Sequence, residues 1–171
     1  MLLVQGQSYK QQFGFNSIHL LPVNLYGPGD NFDPHYSHVI PALIRKFAKA
    51  KFEGKNLIAV WGTGRASREF FYVGDAARVI VLATQRYYKS EPVNIGASFE
   101  ITIRELVDLI ASIMKFKGQV IWDKTKPDGQ PRRKLDTTRA KRESGFASRI
   151  PFEKGLRKTI YWYLKSYKTL V

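Results

Sequence analysis

The run Ile18–Val23 constrains the chain most: six mostly apolar residues, too short for a helix, end in Asn24-Leu25-Tyr26-Gly27-Pro28-Gly29-Asp30-Asn31. A short apolar run closed by turn formers reads as a buried strand over 17–23 that empties into a loop. Ser37-His38-Val39-Ile40-Pro41 follows and reads as the entry to a helix over 37–51, with Val39, Ile40, Leu43, Ile44 and Phe47 at helical spacing and Pro41 in the tolerated first turn. Strand, polar loop, helix is the α/β pattern. In such sheets ligands collect beyond the carboxyl ends of strands, so the loop between Asn24 and His38 is the first place to look for chemistry.

The rest of the chain agrees with that class. Residues 1–13 read as a helix closed by Gly14, Leu57–Trp61 as a strand, and Asp75 as the start of a helix carrying Ala76, Val79, Ile80 and Ala83. Val93–Ile95 is a brief strand, and Thr102-Ile103-Arg104-Glu105 is a capping box opening another helix. Gln119–Trp122 reads as a strand, Lys126–Pro131 as a loop and Pro151–Tyr167 as a helix with an aromatic face. There is no internal repeat or clear linker. The expected fold is α/β: a partial Rossmann-like sheet merged with a small α/β substrate-binding subdomain.

Composition narrows the function classes. With 171 residues and 44% hydrophobic content the chain has enough apolar material for a core. No run approaches the roughly 20 apolar residues that span a bilayer, and the N-terminus lacks a secretory pattern, so the expected address is cytoplasmic, without membrane partners. The absence of cysteine leaves no disulfide or thiolate metal site. Twenty-eight Lys and Arg against fourteen Asp and Glu give a formal charge of +14, which favours polyanions. A nucleotide diphosphate is one such partner. Nucleic acid is not expected, since no RNP-like word, zinc-finger spacing or helix-turn-helix is present.

Four sequence words then coincide: Asn24-Leu25-Tyr26-Gly27-Pro28 with Asp30-Asn31-Phe32; Ser37-His38-Val39-Ile40-Pro41-Ala42-Leu43-Ile44-Arg45; Trp61-Gly62-Thr63-Gly64 with Arg68-Glu69-Phe70; and Lys126-Pro127-Asp128-Gly129 with Pro131-Arg132. Together, over nearly the whole chain, they resemble the GDP-L-fucose synthases, extended short-chain dehydrogenase/reductases of the NAD-dependent epimerase/dehydratase superfamily. The resemblance implies an NADPH-dependent oxidoreductase and epimerase that acts on GDP-4-keto-6-deoxy-D-mannose and forms GDP-L-fucose. It also implies that residues 1–171 are the C-terminal portion. No Gly-x-x-Gly-x-x-Gly turn following a strand occurs in this sequence, and the resemblance places the family's Tyr-x-x-x-Lys pair just before Met1, on the helix that Leu2–Tyr9 continues. The isolated chain is therefore expected to lack reductase activity, and the homodimer of the family is not expected to form with the same helices. A separate N-terminal half is a possible partner on this view. The alternatives are another nucleotide-sugar epimerase or dehydratase, a non-catalytic GDP-sugar-binding module, or one half of a two-chain enzyme.

The same resemblance assigns roles. His38 is the expected proton donor, suited by an imidazole that titrates near neutrality. Asn24, Leu25 and His38 are expected near the cofactor, and Val39, Leu43, Lys46, Trp61, Arg68 and Arg133 around the GDP moiety. Read from the residues alone, Arg68 suits diphosphate oxygens because a planar guanidinium makes paired, charge-assisted bonds. Trp61 offers a ring to a base or ribose, or else belongs to the core. Lys46 and Arg133 depart from the family's usual Arg and Lys; each keeps its charge but not its hydrogen-bond geometry.

Overall fold

A computed structural model describes residues 1–167. In chain order its elements are α1 (Leu2–Phe13), β1 (Leu20–Pro22), β2 (Asn24–Tyr26), α2 (Val39–Phe52), β3 (Leu57–Trp61), β4 (Ser67–Arg68), β5 (Phe70–Tyr72), α3 (Val73–Arg86), β6 (Val93–Ile95), β7 (Ile101–Thr102), α4 (Ile103–Ile113), β8 (Gln119–Asp123), β9 (Arg132–Arg133), α5 (Thr138–Ser144) and α6 (Phe152–Ser166). The α/β class expected from the sequence is the one observed. The chain folds as two compact units, each assembled from three separate stretches.

The first unit comprises Met1–Leu25, Glu69–Phe99 and Lys134–Ile150. Helix α1 stops at Gly14, whose φ of 67° is left-handed backbone that glycine adopts without penalty, and whose N–H closes on the Lys10 carbonyl at 3.0 Å. β1 runs parallel to β6, with Leu20 opposite Val93 and Pro22 opposite Ile95. The strand expected over 17–23 is observed over Leu20–Pro22, with bonds beyond either end, from Val93 N–H to the His19 carbonyl at 2.8 Å and from Val23 N–H to the Ile95 carbonyl at 3.0 Å. Helix α3 buries Ala76, Val79 and Ala83 on a core that includes Phe71, Val93, Ile95 and Phe146.

Two buried carboxylates tie this unit together. Glu69 is fully buried; its Oε1 accepts from Ser98 N–H at 2.8 Å and its Oε2 from Leu135 N–H at 2.9 Å. Asp75, in the first turn of α3, accepts at Oδ2 from the Ser148 hydroxyl and from the Arg149 and Ile150 N–H groups, between 2.7 and 2.9 Å. Burial alone would raise the Asp75 pKa, but the bonds from Ile150, Ser148, Arg149 and Arg78 hold it below the usual carboxylate value. Leu2, Val4, Phe13 and Phe15 remain exposed, so α1 and the segment after it present apolar surface.

The second unit comprises Tyr26–Arg68, Glu100–Arg133 and the stretch from Pro151. β3 runs parallel to β8, Leu57 opposite Gln119 and Trp61 opposite Asp123. Ile58 and Val60 point into the core while Leu57, Ala59 and Trp61 face outward, the period-2 alternation of a half-buried strand. The tiny β4 lies between β7, antiparallel, and β9, parallel. Helix α2 lays Ile40, Leu43, Ile44 and Phe47 inward, and α4 contributes Leu106, Val107 and Ile110. Full burial of side chains of this size contributes roughly 1.5–3 kcal/mol each. The Thr102 capping box forms as the sequence indicates, with Glu105 N–H donating to Thr102 Oγ1 at 3.1 Å. On α6, Tyr163 stacks with Phe32 at a centroid distance of 4.4 Å, fastening the loop before α2 to that helix.

Candidate functional site

Seven of the nine expected site residues fall in the second unit, where two loops and the start of α2 position them. The first loop leaves β3. Gly62 and Gly64 have φ values of 83° and 76°, so the turn Gly62-Thr63-Gly64 is built on left-handed glycines. A Cβ on Gly64 would sit 2.6 Å from the Trp122 ring, and Arg104 covers that ring at 4.5 Å while donating to the Thr63 carbonyl at 2.8 Å. The second loop joins β8 to β9 and is locked to the first by Asp128: Oδ1 accepts from Thr63 N–H at 2.6 Å and Oδ2 from the Thr63 hydroxyl at 2.7 Å. The Thr63 hydroxyl and then its N–H hold the Asp128 carboxyl below its ordinary value.

This clamp delivers the cationic side chains. Ser67 N–H donates to the Pro131 carbonyl at 2.9 Å, and β9 then pairs in register with β4, so that Arg68 stands opposite Arg133 and Ser67 opposite Arg132. Residues directly opposite one another project from the same face of a sheet. Glu100 takes Arg132 through paired bonds of 2.8 and 2.9 Å and also accepts from the Ser67 hydroxyl at 2.6 Å. Among the described residues, neither Arg68 nor Arg133 is paired with a carboxylate. Two like charges held side by side repel each other, and an anion spanning both relieves that repulsion. Arg68 is half-buried, with Nη1 donating to the Ser67 carbonyl at 2.7 Å, whereas Arg133 is exposed.

Trp61 ends β3 on the outward face. It is 66% exposed, with Lys126 Nζ 5.8 Å from its ring, and so is not a core residue. Lys46, on α2, donates to the carbonyl of Ala59, two residues before Trp61, at 2.7 Å. Burial of its ammonium, and then the neighbouring Arg45, lower its pKa. Val39 is half-buried, and Leu43 points into the core at 4% exposure.

His38 is the N-cap residue of α2, in extended backbone with φ −71° and ψ 172°, and its carbonyl accepts the Ala42 N–H at 3.0 Å. Its side chain makes no capping bond, so the exposed imidazole is not consumed by the helix. The loop before it is a chain of side-chain turns: Asn31 Oδ1 accepts from Asp33 N–H at 2.9 Å, and Asp33 Oδ1 from His35 N–H at 2.8 Å.

Asn24 and Leu25 belong to the first unit. The Asn24 amide donates to the Glu69 carbonyl at 3.0 Å, which fixes the side chain and leaves its own Oδ1 as an acceptor; Leu25 is 40% exposed. This donor set suits the neutral carboxamide end of a nicotinamide. It does not fit the diphosphate of a dinucleotide, which needs cationic groups or successive N–H donors at a helix N-terminus.

Sequence reading quotes Thr63 and Asp128 within two of its words but gives neither a role, although the Asp-Gly pair at 128–129 is a turn signal and Gly62 and Gly64 flank Thr63. Glu100, which pairs with Arg132, carries no local signal at all.

A family model described as the NAD dependent epimerase/dehydratase family matches residues 2–96. Among curated proteins, the chain is 45% identical over 160 residues to GDP-L-fucose synthase 1 of Arabidopsis thaliana and 41% identical over 169 residues to GDP-L-fucose synthase of Escherichia coli strain K12. Each alignment takes in 94% of this chain, but 49% and 52% of those proteins. Among solved structures, a GDP-L-fucose synthetase from Naegleria fowleri bound to NADP matches with a TM-score of 0.89 at 31% identity, covering 99% of this chain and 55% of that one. The chain thus spans about half the length of the curated relatives it matches.

Proposed function

Because the chain belongs to the NAD dependent epimerase/dehydratase family, we propose that it supplies the GDP-sugar-binding and proton-donating part of a GDP-L-fucose synthase-type enzyme, whose substrate is GDP-4-keto-6-deoxy-D-mannose. On this reading residues 1–171 correspond to the C-terminal part of such an enzyme, and NADPH is its reductant. The observation that carries the proposal is the register of Arg68 with Arg133, two cationic residues on one sheet face, neither ion-paired with a carboxylate among the described residues. That pair suits a diphosphate, and the exposed Trp61 ring suits the attached base or ribose.

His38 then acts at the hexose. Epimerisation beside a keto group transfers a carbon-bound proton to a base, a role assigned to no residue of this chain, and leaves an enolate whose charge rests on the keto oxygen. Return of a proton to the opposite face of that carbon inverts it. His38 as the imidazolium supplies this second proton and is left neutral. Lys46 contributes positive charge beside β3, and Val39 an apolar contact.

Titration calorimetry of the chain with GDP, GDP-fucose, UDP-glucose and a short oligonucleotide tests the proposal. Binding of GDP and GDP-fucose at least tenfold tighter than of UDP-glucose is the expected result. Preference for the oligonucleotide, weakening steeply with salt, would overturn it. With GDP-4-keto-6-deoxy-mannose and NADPH, the chain alone is expected to show no turnover.

A further inference from the structure

Two buried polar atoms precede the helix that His38 begins. Oδ2 of Asp30 and Oγ of Ser37 are shielded from solvent, and neither has a hydrogen-bond partner. Native structures leave few such atoms unsatisfied, because each costs about 1–3 kcal/mol, so each that persists calls for an explanation. The two atoms share the short loop that ends at His38. Asp30 Oδ1 is already engaged by Asn31 N–H at 2.7 Å, which fixes the carboxylate plane and leaves Oδ2 to a second donor. Burial raises the Asp30 pKa, the Asn31 N–H opposes that, and the charge of His38 opposes it further, so the imidazole lies within electrostatic reach of the carboxylate. The other acid of the loop, Asp33, is engaged at Oδ1 by His35 and Tyr36.

We propose that Asp30 is the positioning residue of His38: Oδ2 accepts the ring N–H turned toward the loop, the Ser37 hydroxyl completes that contact, and the opposite ring nitrogen is presented outward. The ring is exposed and makes no capping bond, so the helix does not hold it in another orientation. A hydrogen bond at one imidazole nitrogen decides which tautomer the ring adopts and which nitrogen handles the travelling proton. The inference rests on the reading of His38 as the proton donor and adds the group that aims it.

The test is nuclear magnetic resonance on the chain itself. Long-range nitrogen–proton correlation of the neutral His38 ring should show one dominant tautomer, and Asp30→Asn should change the ratio of the two tautomers several-fold while leaving His35 and the melting curve unchanged. An unaltered ratio would overturn the proposal. Should Asp30→Asn not fold, the Asp30 carboxyl carbon can be followed in the unsubstituted chain and in His38→Gln. Loss of the nearby positive charge should move the carboxyl titration upward, and an identical curve in both would count against the assignment. GDP titration followed at Arg68, Arg133 and Trp61 reports on the proposed function separately, so failure of either idea is distinguishable from failure of the other.

Discussion

The Asp128 carboxylate takes both donors of Thr63, the N–H at 2.6 Å and the hydroxyl at 2.7 Å, and thereby joins the loop after β8 to the turn after β3. That joint secures the loop leading into β9, whose pairing with β4 sets Arg133 opposite Arg68.

Asp128→Ala should therefore lower GDP affinity about tenfold without unfolding the unit, a loss of the size expected for charge-assisted hydrogen bonds. Calorimetry checks the affinity. Limited trypsin digestion checks the cause, since the bond after Lys124 lies in the released loop and should be cut faster than in the parent chain.

Arg68→Lys and Arg133→Lys keep the charge and remove the fork. Each should weaken GDP binding about tenfold while leaving the salt dependence nearly unchanged, because salt dependence follows charge and affinity here follows geometry. The double variant is expected to lose less than the sum of the two, as neighbouring residues on one ligand seldom add. Equal affinity in parent and variants would show that the pair does not grip the diphosphate.

Asp75 sets the acid stability of the first unit. Its folded pKa is depressed, so the stability it contributes is present above the ordinary carboxylate range and disappears as pH falls through the folded value. Asp75→Asn should cost about 2–3 kcal/mol at pH 7, the cost of breaking bonds to a buried charged acceptor. It should also flatten the decline in denaturant midpoint on acidification below pH 4, measured by urea melts across pH.

Gly64→Ala should destabilise the second unit by about 2 kcal/mol or more, from left-handed backbone and from a methyl group forced onto the Trp122 ring. A melting temperature lower by several degrees, accompanied by a change in tryptophan fluorescence, is the expected readout.

Local chemistry made much of the fold legible. The Gly14 helix stop, the Thr102 capping box, the α2 start at His38 and β3 over Leu57–Trp61 each depend on residues within a few positions of one another, and each stands where the sequence puts it. The two-residue strands β4, β7 and β9 were not legible, since a strand that short has no periodicity and exists only through its partners. The same limit applied to α5, whose Thr138–Ser144 run buries only Ala140 and Ser144.

The chain's own order of residues determined the α/β class, the cationic excess and the words around Asn24, His38, Trp61 and Arg68, because propensity, turn chemistry and charge are properties of neighbours in sequence. Only the tertiary structure decided that Arg133 stands beside Arg68, that Glu100 neutralises Arg132 instead, that Leu43 faces the core while Trp61 faces out, and that Oδ2 of the half-buried Asp30 is shielded without a hydrogen bond. Those outcomes depend on pairings between residues up to 65 positions apart, as between Thr63 and Asp128, where loop closure and burial choose the partner and no local pattern records the choice.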